Sequence, residues 1–298
     1  MLDMRLFTPL PVAERRALDA SFLAYANVRD GEPNVARRTL AHRERWCQEI
    51  STRSRPAWNG ERIHPQRFER WHLGRSSLAD APRLARWLVQ LAHINEGEEW
   101  GVNYLLGRGG FQGLGNGRAL KPRDFADLEE TYHTRILRMV VQLFGVDFTL
   151  REPPAPVRLS VKMMARLPER PSFLLLAAGE LMGTVNLLRL MRVADELFAH
   201  HREMHERTLE LLDQILIDEI GHVTYLLASM GRLGLALVRR LALVYLAGSH
   251  RGYGGRQSEP ATAVMRDGIE NYNLGLFPER VLRRAFVPAQ YWPAELTI

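Results

Sequence analysis

Apolar residues recur at three- and four-residue intervals along most of the chain, and no stretch alternates with the two-residue period of a half-buried strand. The pattern predicts helices near residues 11–28, 33–53, 80–106, 122–144, 156–167, 171–198, 203–229, 231–248 and 278–285. Pro33, Pro65 and Pro122 stand where a helix loses least from a missing N–H, in its first turn. Gly145 follows a periodic segment as a helix stop. Residues 107–117 (GRGGFQGLGNG) lack the spacing and the preceding strand of a dinucleotide-binding loop. They read as a link between two long helices, with a lid as the alternative. Residues 248–259 (GSHRGYGGRQSE) form a second glycine-rich break before a C-terminal arm. The reading is all-α and a single domain over 1–298: a helical lead-in (1–79), a central four-helix body (80–229), and accessory helices with a C-terminal arm (230–298).

Composition narrows the classes. Apolar residues at 46% and charged residues at 25% are ordinary globular usage, which excludes a disordered or collagen-like chain. A single cysteine, Cys47, forms no internal disulfide and is expected to be a packed thiol. No uninterrupted apolar run reaches the roughly 18 residues of a membrane span, and Arg239 and Arg240 break the nearest candidate, 233–247. The opening MLDMRLFTPLP has too short an apolar core for a signal peptide, so a cytoplasmic protein is expected. The net charge is +6, and 38 of the 40 basic residues are arginine. They are scattered rather than gathered in a run with aromatic residues, so a nucleic-acid partner is not expected; an acidic protein partner suits the charge better.

The chemistry lies in Glu-x-x-His, which places both side chains on one helix face. It occurs four times, at Glu61/His64, Glu69/His72, Glu130/His133 and Glu219/His222, where chance predicts about 0.8. The first lies in a turn beside Asn59-Gly60 and Pro65, the second in a short polar segment, and both are expected as surface charges. The other two lie on apolar stripes of long helices, where a carboxylate is costly unless paired or metal-bound. Each is preceded by an acid, Glu129 or Asp218. A metal-bound imidazole needs its second nitrogen held, and across the packed helices Asp218 is expected to orient His133, and Glu129 His222.

A dinuclear site wants two further carboxylates from two further helices. Glu180 is the only charged residue between 171 and 188 and shares its face with Phe173, Leu176, Ala177, Gly183, Thr184 and Leu187. In LARWLVQLAHINEGEEWGVNYLL three glutamates compete. Glu98 is best centred on the stripe of Trp87, Leu91, Ile94, Val102 and Leu105; Glu99 faces Leu88, Ala92, Val102 and Leu106; Glu96 faces Val89 and Ala92.

The order Glu, Glu-x-x-His, Glu, Glu-x-x-His over residues 80–229 resembles the ferritin-like di-iron carboxylate proteins. The matching residues are Glu98 or Glu99, Glu130, His133, Glu180, Glu219 and His222. The resemblance implies a ferritin-like four-helix bundle with additional N- and C-terminal helices. It implies two Fe ions (or Mn/Fe) as cofactor, O2 as co-substrate, a small-molecule substrate, and a ferredoxin or reductase as electron donor. A homodimer is compatible with it. Thr184, one turn after Glu180, resembles the threonine that bacterial di-iron hydroxylases place beside the metals; a threonine bonding its own helix backbone is the alternative. Arylamine N-oxygenases of the family carry an extra histidine where this chain has Ile215, which weakens that branch. Four carboxylates and two neutral imidazoles balance two divalent cations and suit iron or manganese better than catalytic zinc. Ala177 and Gly183 are expected to leave room for a small substrate beside Glu180. The leading expectation is an O2-activating oxygenase performing hydroxylation, N-oxygenation or desaturation. The alternatives are a metal-storage or ferroxidase protein, a non-enzymatic helical interaction protein, and a tRNA hydroxylase.

Overall fold

The structure is a computed structural model that describes residues 6–30, 41–107, 121–252 and 259–292. Among these residues there are eleven α-helices and no strand: α1 (Val12–Asp30), α2 (Ala41–Thr52), α3 (Pro65–His72), α4 (Arg83–Gly107), α5 (Pro122–Gln142), α6 (Ala155–Met164), α7 (Glu169–Leu197), α8 (Arg202–Ser229), α9 (Arg232–Gly252), α10 (Glu259–Glu270) and α11 (Glu279–Leu282). The all-α expectation holds. The expected segment 33–53 is described only from residue 41, and the glycine-rich stretch 107–117 lies outside the described residues beyond Gly107.

Local chemistry explains several boundaries. Pro122 opens α5, and the Lys121 backbone N–H donates to Asp124 Oδ2 at 2.7 Å, so a carboxylate sits in the first turn where the helix dipole favours it. The chain leaves α5 through Gly145 at φ +76°, a left-handed conformation that disfavours any residue with a Cβ. Gly74, at φ +69°, does the same after α3.

Four long helices close a ring of contacts, with α4 on α5, α5 on α8, α8 on α7 and α7 on α4. At its centre α8 is buried on every side from Leu211 to Ala228 except at Gln214. A helix apolar all round has to be covered all round, and α1, α5, α7 and α11 cover it. Phe22 of α1 is 2% exposed and meets Tyr225 of α8 at 4.9 Å, Phe286 at 5.1 Å and Phe125 of α5 at 6.4 Å between ring centroids. This aromatic knot joins the lead-in to the ring and to the C-terminal segment.

Three corrections to the sequence reading arise here. α9 runs through the expected break to Gly252, and α10 forms in the C-terminal arm, where no helix was expected. Gly268 permits α10 to lie against α7, since a Cβ there would fall 2.7 Å from Val185 Cγ1. By length and composition alone, residues 171–197 of α7 could cross a membrane, the one such helix among the described residues. In this fold α7 packs between α8 and α9.

The third correction is His72, expected on the surface with Glu69. Glu69 is exposed, but His72 is 1% exposed. His72 Nε2 lies 2.8 Å from Glu96 Oε1, and the Arg151 side chain bonds the same carboxylate with Nε (2.7 Å) and Nη2 (3.1 Å). His93, one turn before Glu96, approaches the His72 carbonyl at 3.4 Å. Burial, opposed by the charge of Glu96, depresses the His93 pKa to about 3. In the unfolded chain it titrates near 6.5, so below that pH the unfolded state binds a proton that the folded state refuses. The stabilisation is complete above about pH 6.5 and is lost as the pH falls toward the folded value. Between pH 7 and pH 5, His93→Gln should therefore lose about 2 kcal/mol less stability than the parent. Urea unfolding at the two pH values measures this; parallel losses in both proteins would remove His93 as the cause.

Candidate metal centre

Helix periodicity brings the donors to one place. α5 contributes Glu130 and His133 one turn apart, α8 contributes Glu219 and His222 in the same way, α4 contributes Glu98 and α7 contributes Glu180. Donor atoms of Glu130, Glu180, Glu219 and His222 lie within 4.8 Å of one another, as do those of Glu98, Glu130 and His133. Glu130 belongs to both groups: its Oε2 is 3.4 Å from His133 Nδ1 and its Oε1 is 3.4 Å from His222 Nδ1. Glu219 Oε1 also lies 3.4 Å from His133 Nδ1, and Glu180 Oε2 lies 3.8 Å from His222 Nδ1. The two imidazoles are 0% and 3% exposed.

Glu98 therefore enters the cluster from α4. Glu99, carried as its competitor, does not: it is half-buried and belongs to neither donor group. The next helix position is turned by about 100°, which takes Glu99 off the face that looks at α5. Glu96, the third competitor, is held by Arg151 and His72. Its cluster with His72 and His93 brings three donors together, but the Arg151 guanidinium already neutralises its one carboxylate, so a cation there would face an uncompensated positive charge. Glu98→Gln should lower metal uptake on reconstitution by about tenfold or more in affinity, while Glu99→Gln leaves it unchanged. Metal analysis after dialysis against graded free metal compares the two, and the opposite order would exchange their roles.

The outward nitrogens are held by carboxylates. His133 Nε2 lies 3.2 Å from Asp218 Oδ2, and His222 Nε2 lies 2.8 Å from Glu129 Oε2. Each acid reaches the histidine of the opposite helix. Both carboxylates are in turn clamped by arginines of the lead-in. Arg43 Nη2 donates to Glu129 Oε1 at 2.7 Å and to Asp218 Oδ1 at 2.8 Å, Arg43 Nη1 bonds Asp218 Oδ2, and Arg29 Nε donates to Asp218 Oδ1 at 2.9 Å. The arginines escaped the sequence reading, though one signal was there. Arg43 lies on the same face of α2 as Trp46, Cys47 and Ile50, and Cys47 and Ile50 are buried. It is a lone cation on an apolar stripe, the same signal that marked Glu180.

The gathered donors shift one another's ionisation. Burial, with the charge of Glu130 beside it, pushes the Glu98 carboxyl well above its ordinary pKa. Burial and the charge of Glu219 push Glu180 up to about 8. Burial would raise Glu130 too, but His133 and His222 outweigh it and bring Glu130 down to about 2. Both histidines are pushed well above the usual imidazole range, because their carboxylate neighbours outweigh burial. Burial would also raise Asp218, but Arg29 and Arg43 hold it well below the ordinary carboxylate range.

Thr184 Oγ1 is 2.7 Å from the Glu180 carbonyl and 3.3 Å from Glu219 Oε2. Its single proton serves one acceptor at a time, so the backbone contact and the site-facing contact are alternatives at one atom. Ala177 is fully buried, and a Cβ on Gly183 would lie at ordinary contact distance, 3.9 Å, from Glu219 Oε2, so Gly183 sits directly beside that carboxylate. Comparison of the chain with protein-family models, with curated proteins and with solved structures finds no match.

Proposed function

We propose that the chain is a ferritin-like di-iron carboxylate protein, its four-helix bundle formed by α4, α5, α7 and α8, that uses O2 to oxidise a small organic molecule by hydroxylation, N-oxygenation or desaturation. One observation carries this reading. Glu98 Oε2, Glu130 Oε1, His133 Nδ1 and His222 Nδ1 are buried without a hydrogen-bond partner, and all four belong to the two overlapping donor groups. Each such atom costs about 1–3 kcal/mol if left unsatisfied. A site that gathers four of them is explained by cations that they would ligate.

The donors fit such a pair. Glu98, Glu130, His133, Glu180, Glu219 and His222 would hold it, with Glu130 belonging to both donor groups. Two iron ions, or one manganese and one iron, would supply the redox chemistry that O2 requires. The chain supplies the rest. Asp218 and Glu129 keep the Nε2–H of each histidine pointed outward, so that Nδ1 offers its lone pair inward. Arg29 and Arg43 keep Asp218 ionised, and Arg43 also bonds Glu129. Thr184 Oγ1 can donate its proton to Glu219 Oε2 or to the Glu180 carbonyl. The arginine-rich composition suits an electron donor with an acidic face.

The test is anaerobic loading with Fe(II) followed by O2. About two iron per chain and an oxygen-dependent absorbance change support the reading. Uptake below about one metal per chain after reconstitution favours a helical protein with buried polar networks. Elution as a large closed shell, with mineralised iron, favours storage.

A further inference from the structure

A cavity of about 440 Å³ opens on the far side of the arginine clamp, away from the histidine Nδ1 atoms. Its volume lies in the range of small-molecule sites. Its wall combines four guanidinium groups, Arg29, Arg43, Arg283 and Arg284, with the aromatic side chains of Tyr25, Trp46 and Tyr132. Arg29 and Arg43 are engaged with Asp218 and Glu129, and Arg283 with Glu279. Arg284 has no carboxylate partner among the described residues; its Nη2 reaches only the neutral Gln214 Oε1, at 3.3 Å. Among the described residues these four guanidinium groups are bonded to three carboxylates, and Arg284, which is exposed, to none of them. Glu44, near Tyr132, adds nothing to the balance because Arg135 neutralises it.

We propose that this cavity is a binding site for a small aromatic carboxylate, its carboxylate on Arg284 and its ring between Trp46 and Tyr132. A guanidinium offers a planar pair of donors that matches a carboxylate. The aromatic walls and the volume exceed what an inorganic anion needs, and a neutral ring would leave Arg284 without a carboxylate. The site lies on the outer face of Arg29 and Arg43, so an occupant touches the groups that orient both histidines. The proposal is independent of the metal reading, because every residue in it belongs to the protein without metal.

The probe is 4-fluorobenzoate, followed by fluorine NMR with chelator-treated full-length protein, so that a failure of metal loading cannot be mistaken for a failure here. Saturable binding is expected, weakened about tenfold or more in Arg284→Gln and largely kept in Arg284→Lys. Trp46→Leu should weaken 4-fluorobenzoate several-fold without changing the response to inorganic phosphate. Circular dichroism confirms that each variant folds. The proposal is overturned if 4-fluorobenzyl alcohol binds as tightly as the acid, or if inorganic phosphate does. It is equally overturned if Arg284→Gln binds like the parent, or if no saturable binding occurs up to millimolar ligand.

Discussion

Glu130→Gln should abolish loading of the centre, with a fall in metal affinity of more than about 100-fold. The expectation follows from position. Removing a group that only orients a ligand already costs about 10–100-fold, and Glu130 is itself a donor that belongs to both groups, with one oxygen toward each imidazole. Both donor groups would lose a ligand at once. The substitution keeps shape and hydrogen-bonding capacity, so the protein without metal should remain folded, and the loss should appear in metal stoichiometry rather than in the helical signal. Equilibrium dialysis against Fe(II) or Co(II), with Glu99→Gln as the control, makes the comparison. A Glu130→Gln protein that still takes up two ions with parental affinity would remove the carboxylate from the centre and the proposed function with it.

Arg43→Met should be the most destabilising single change among the polar residues, by about 3–5 kcal/mol. Arg43 is 8% exposed and bonds two carboxylates, Glu129 and Asp218, that are 2% and 3% exposed. Methionine fills comparable volume but leaves those acids short of a cation in a medium that cannot solvate them. Arg29 still reaches Asp218, which limits the loss at that acid, whereas Glu129 keeps only His222. Arg43→Lys should recover only part of the loss, because a single ammonium does not reproduce a planar fork spanning two acids. Urea midpoints measured without metal report the structural cost. A second readout, metal affinity lowered by about 10–100-fold, reports the orientation of the two imidazoles. An unchanged midpoint would mean that the clamp contributes nothing net.

Both predictions concern residues of unequal legibility. Glu130, His133, Glu219 and His222 stood out in the sequence because Glu-x-x-His is a local relation. Two residues three apart on a helix share a face whatever else the chain does. Glu180 was readable for a similar reason, as a lone charge on an apolar face. The choice among Glu96, Glu98 and Glu99 was not readable from periodicity. All three lie near the same stripe, and the rotation of α4 against α5 selects Glu98 for the centre, sends Glu96 to Arg151 and leaves Glu99 half-buried. His72 misled because its surroundings, QRFERWHLG, are polar in composition, yet its burial comes from Glu96 and Phe148, which lie far along the chain. The same applies to α10, whose contact with α7 depends on the absence of a side chain at Gly268.

The division has a physical basis. Helix formation, helix ends and the pairing of neighbouring donors arise from interactions within about one turn, and a linear pattern of apolar, polar and turn residues records them faithfully. The partners of a buried charge arise from closure of the fold. Arg29 and Arg43 come from helices that precede the ring, and they meet Asp218 across sequence separations of 189 and 175. No local pattern encodes such a separation. It is set by the packing of α1 and α2 onto α8 and α5, and that packing completes the outer half of the centre.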